Sequence, residues 1–114
     1  LLIIKKMIMK KINLQNYPIT ISSPEGEKTI SFEVRKSIIE LLFIPALKLN
    51  AMALMNQNKL AEKIKDAPED FMLLEEEEYR TIQKSFTLFE GFDKHSVELV
   101  KRVLNAETVE VKPK

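Results

Sequence analysis

Few residues in this 114-residue chain could do chemistry, and their types exclude most of it. His95, in "FDKHSVEL", is the single histidine, and there is no cysteine. Ser22, Ser23, Ser31, Ser37, Ser85 and Ser96 could serve as nucleophiles only beside a base, and His95 is the one imidazole available. No partner motif accompanies it, so it reads as a solvent-facing loop histidine. A metal centre would have to be built almost wholly from carboxylates. With glycine only at positions 26 and 91, neither a phosphate-cradling loop nor a dinucleotide fingerprint can form. The expectation is a protein with no catalytic residue, no metal and no cofactor: not an enzyme.

Charge is the next source of chemistry. Glu75, Glu76, Glu77 and Glu78 are consecutive, and with Asp66, Glu69 and Asp70 they give seven acids and no base over residues 66–78. Such a run could attract a basic partner or imitate a phosphate backbone. It is also what a helix start looks like, since acids in a first turn meet the positive end of the dipole. Lys5, Lys6, Lys10 and Lys11 cluster near the start, but no aromatic residues alternate with them as a stacking platform for nucleic acid would require. The net charge of +1 argues the same way, so nucleic acid is not the expected partner.

These side chains need elements to hold them. Hydrophobic residues at 45% and charged residues at 31% describe one globular domain. "LLIIKKMIMKKINL" lacks the unbroken apolar run of a secretory signal or a membrane helix, so residues 1–8 read as an extension and no membrane is expected. The absence of cysteine suits a reducing, cytoplasmic interior.

Residues 17–35 predict a β-hairpin. Ile19 and Ile21 alternate with polar residues, as do Ile30, Phe32 and Val34, and Pro24 and Gly26 supply the turn. Gly26 is expected at positive φ. Ile12 and Leu14 suggest a further strand segment. Ser37 is the expected N-cap of a short helix running to Ile44 and stopped by Pro45. A second helix spans about 50–65, with Leu54, Met55, Ala61 and Ile64 inward and Asn56, Gln57, Lys59 and Glu62 outward. A third starts near Glu75 with a Tyr79, Ile82, Phe86, Phe89 stripe, and Gly91 ends it. A fourth starts at Ser96 with Val97, Val100 and Leu104 on one face. Residues 107–114 read as a polar tail with at most one short strand turn. The order, strands before helices, predicts an α+β fold: an N-terminal hairpin or small antiparallel sheet packed against about four helices.

The run from Ile38 to Leu49 is the expected cover for the hairpin's apolar face. Ile38, Ile39, Leu41, Leu42, Phe43 and Ile44 surround a helix, so they cannot all face one sheet. Ile38, Leu41 and Leu42 are assigned to the hairpin core. Ile39 or Phe43 is expected to meet another chain, whether a partner or a second copy, and Glu75–Glu78 complete the predicted partner interface.

The strings "KKINLQNYPI", "EGEKTISFEVRKSIIELLF", "LAEKI", "LLEEEEYRTI" and "ELVKRVLNA" together resemble a type of small accessory protein common in bacteriophage and prophage genomes. In outline the chain is also similar to tail-assembly chaperones, which carry a β-rich start before helices. The resemblance covers most of residues 9–106 and carries no catalytic motif. It implies a small cytoplasmic accessory protein, while the lack of catalytic groups and the surplus of apolar and acidic residues point to a module that binds another protein as inhibitor, adaptor or assembly chaperone. The alternative is a small-ligand binding or sequestering protein with a pocket between hairpin and helices.

Overall fold

Residues 7–111 fold as five strands and four helices, but the strands do not all lie where alternation places them. A computed structural model describes residues 7–111. In chain order these are β1 (Met7–Asn13), β2 (Tyr17–Ser23), β3 (Gly26–Phe32), α1 (Val34–Leu41), α2 (Ala51–Asp66), β4 (Phe71–Leu74), α3 (Glu76–Leu88), α4 (Val97–Leu104) and β5 (Glu107–Val111), with 3₁₀ turns at Pro45–Leu47 and Lys94–Ser96. The α+β class predicted from the order of strands and helices is the one observed.

The sheet that organises the core is not the hairpin. β1 lies at the centre of a three-stranded antiparallel sheet in the order β4, β1, β5, while β2 and β3 pair only with each other. Met7 and Ile8, which the sequence assigns to an extension, sit opposite Val111 and Glu110 in this sheet. The supposed polar tail supplies one of its two edge strands, β5. Residues 1–6 and 112–114 lie outside the described residues.

Ile12, Leu14, Met72 and Leu74 face the helices and are buried together with Val34, Ile38, Leu41, Leu42, Leu60, Ile64, Tyr79, Ile82, Phe86, Leu99 and Val103. Ile38, Leu41 and Leu42 are therefore core residues, as their spacing predicts, but of a different core. They pack within the helical layer over the three-stranded sheet and do not cover the hairpin.

Several local expectations change for identifiable reasons. α1 begins four residues early, with Glu33 as N-cap, and Ser37 lies inside it with its hydroxyl donating to the Glu33 carbonyl at 2.8 Å. On α2 the inward face is Gln57, Leu60, Ala61 and Ile64, while Leu54 and Met55 are exposed. Gln57 turns inward because its amide donates to the Leu42 carbonyl at 3.1 Å, satisfying an orphan acceptor at the end of α1. On α4, Leu99 and Val103 are buried instead of Val97 and Leu104, which are exposed. Arg102 fixes that rotation by donating to the carbonyls of Asn13 at 3.3 Å and Gln15 at 2.5 Å.

Other expectations hold. Tyr79, Ile82 and Phe86 form the buried stripe of α3, and the structure adds a cap the sequence reading did not single out, Asn50 accepting from the Ala53 amide at 2.9 Å at the start of α2. Gly26 has φ of +112°, at the end of the Pro24–Glu25 turn.

Candidate functional site

The hairpin leaves the body of the protein. A compact chain of this length has a radius of gyration near 13 Å. This one has 16.4 Å, with principal extents of 68, 31 and 22 Å. No residue of β2 or β3 belongs to the buried core, and only Tyr17 and Phe32, paired across the base, pack against it. Their rings stack 4.8 Å apart, and the Tyr17 hydroxyl donates to the His95 carbonyl at 2.6 Å. Beyond that base the two strands form an arm.

Cross-strand register gives the arm two unlike faces. Tyr17 lies opposite Phe32, Ile19 opposite Ile30 and Ile21 opposite Lys28, so these six side chains share one face. Pro18 with Ser31, Thr20 with Thr29 and Ser22 with Glu27 form the other. Above Tyr17 and Phe32 the apolar face packs against none of the core residues; Ile30 is 42% exposed, while Ile19 and Ile21 are half-buried. An isolated two-stranded ribbon is marginal in water, because half of its apolar surface stays wet. The amphipathic pattern that marks the hairpin in the sequence thus marks an uncovered surface.

At the base, the apolar face runs into a cleft of about 400 Å³. Phe32 belongs to both. Leu41, Ile44, Phe89, Phe92 and Leu99 supply the rest of its apolar wall, and Glu40 and Asp93 bring carboxylates to it. Phe92 is held edge-on by Phe89, ring centroids 4.7 Å apart, and stacks on Phe86 at 5.8 Å. Asp93 caps the following 3₁₀ turn by accepting from the His95 amide at 2.9 Å. His95 takes part here through its main chain. Comparison of the chain with known protein families, curated sequences and solved structures gave no match.

The residues predicted for a partner interface do not form one surface. Ile39 is half-buried against the core, and Phe43 is 37% exposed in the turn after α1. The neighbouring Ile44 and Pro45 lie beside Leu88 and Phe89 at the end of α3. Glu76, at its start, is about 18 Å away along the axis at 1.5 Å per residue.

The four glutamates serve the helix. Glu75 is the N-cap of α3, and the Glu78 carboxylate accepts from the Glu75 amide at 2.9 Å in a capping box. Glu78 also pairs with Lys63 at 2.8 Å, and Glu76 with Arg80 at 2.8 Å. Glu77 is exposed. Among the described residues no group of three or more histidine, aspartate or glutamate side chains is placed to hold a metal ion, and no helix is long and apolar enough to cross a membrane.

A second apolar surface lies on the outer face of the three-stranded sheet. Met7, Met9, Leu73, Phe71, Val109 and Val111 alternate with the buried set, and no described helix covers them. Lys11 crosses this face over the Phe71 ring at 4.6 Å. Nothing in the sequence singles it out, because its residues come from three strands that are distant in the chain.

Proposed function

We propose that this protein is a non-enzymatic interaction module that grips another protein with its β-arm. The observation that carries the reading is the uncovered apolar face of Ile19, Ile21 and Ile30 on a ribbon standing clear of the body. A ribbon with one apolar and one polar face gains most of its stability when the apolar face is buried by something else. Within this reading the protein is a cytoplasmic accessory protein of phage type, acting as inhibitor, adaptor or assembly chaperone. The layout resemblance supports that wider assignment. The interface guess at Ile39 and Phe43 gives way to the arm as the principal contact, with Phe43 in a secondary position.

The test compares wild type with an Ile19→Ser/Ile30→Ser variant, both immobilised and exposed to bacterial lysate. Neither residue lies in the core, so both proteins should melt alike. A defined protein retained by wild type and lost by the arm variant is the expected result. Identical retention by the two would overturn the reading.

A further inference from the structure

The geometry points to a second copy of this chain as an occupant of the arm: two arms lie face to face and antiparallel, each tip reaching the cleft at the other's base. This rests on the arm being a protein-binding surface and names what it binds.

The face is self-complementary along its length. Ile19 and Ile30 are at its centre, Tyr17 and Phe32 at the base, and Ile21 and Lys28 toward the tip. A two-fold axis through the centre stacks the isoleucine pair on its own copy and brings each tip over the opposite base, the reciprocal arrangement of an isologous interface. Two ribbon faces packed this way follow ordinary sheet-on-sheet geometry, with inner side chains interdigitating.

Charge decides the register. Lys28 is the one cation on an otherwise apolar face, and it forms no ion pair with any described residue. The opposite base offers Tyr17 and Phe32 rings and, beyond Phe32, the Glu40 and Asp93 carboxylates at the cleft. Neither carboxylate forms an ion pair within the described chain. In the antiparallel arrangement Lys28 of each chain passes over Phe32 toward Glu40 and Asp93 of the other, while Ile21 lies over the Tyr17 ring. A parallel arrangement would set the two lysines together and leave both clefts empty, so like charges oppose it.

Size is consistent with this occupant. Each strand of the arm has seven residues. At about 3.4 Å per residue the face is ~24 Å long. With its two strands ~4.8 Å apart the face is only ~10 Å wide, so the arm pair by itself buries less than the ~1,200 Å² of a stable specific interface and belongs to the weak, transient class. The dimer is therefore expected to exchange with monomer, leaving arms available to another protein.

Sedimentation over a concentration series tests this directly. Wild type should show a reversible monomer–dimer equilibrium. Ile19→Ser/Ile30→Ser should stay monomeric, and Lys28→Glu should weaken dimerisation about tenfold or more. Adding Glu40→Lys to Lys28→Glu should restore much of the loss, an outcome that mere disruption of the arm would not give. A wild type that is monomeric throughout, or a dimer indifferent to the isoleucine pair or to Lys28, overturns the inference. Monomeric wild type whose arm variant still loses a lysate protein would remove the second copy while keeping the interaction module. Loss of neither would remove both.

Discussion

Tyr79 fastens α3 to the end of α4, its hydroxyl donating to the Val103 carbonyl at 2.6 Å. Tyr17 does the same for the base of the arm at His95. Burial raises both phenols above their ordinary pKa of 10.0; for Tyr17 the nearby Arg102 partly opposes that rise. In the unfolded chain these hydroxyls ionise first, so their contribution to stability is full below pH 10 and declines as pH rises from there through the folded values. Tyr79→Phe should therefore lose less stability than wild type between neutral and strongly alkaline pH, although it starts lower by the ~1 kcal/mol of a typical hydrogen bond. The chain has two tyrosines and no tryptophan, so near-ultraviolet absorbance reads the titration without interference. Tyrosinate appearing in the folded protein at or below pH 10 would contradict this account.

At the scale of elements, much was legible where the decisive partner is near in sequence. The α3 stripe and the Gly26 turn depend on neighbours within a few residues, whereas α1, expected to run to Ile44, already ends at Leu41, before Pro45. What stayed hidden depends on distant ones. "MIMKKIN" lacks clean alternation, and one of its partners, β5, lies at the other end of the chain, so nothing local marks β1 as central. Gln57 reads as a surface amide until the end of α1 supplies its acceptor.

Arg35 shows the same effect most clearly. Its guanidinium donates to the carbonyls of Ile64 at 3.1 Å, Lys65 at 3.3 Å, Ala67 at 2.7 Å and Glu69 at 2.6 Å, closing the exit of α2 from a residue on α1. A cation there meets the negative end of the helix dipole and satisfies its last acceptors. Arg35→Ala should cost about 1.5–3 kcal/mol in urea unfolding, the range for hydrogen bonds to a charged group. Arg35→Lys should recover only part of that, since an ammonium cannot reproduce the planar fork. An Arg35→Ala variant as stable as wild type would mean that water serves these carbonyls equally well.

At the scale of the whole molecule, the chain divides into a body that folds around β1 and an arm that contributes nothing to its core. The candidate site was half legible for that reason. Alternation at Ile19, Ile21, Ile30 and Phe32 gave the strands and their apolar face, but a period of two says which face is apolar, not whether the same chain covers it. The cover predicted from Ile38–Leu49 is used by the body instead. Since Tyr17 and Phe32 already face each other at the base, residues 18–31 can be replaced by an Asn-Gly turn without moving the chain on either side. The shortened protein keeps the Tyr17–Phe32 stack, the Tyr17 bond to His95 and the cleft. It should unfold in one cooperative transition, with a midpoint within about 4 °C of wild type, the shift that ~1 kcal/mol produces in a domain of this size. Self-association and partner retention should both disappear. If the shortened chain instead melts gradually, the arm helps to hold the body together, and the polar substitutions at Ile19 and Ile30 become the only clean probe of what the arm binds.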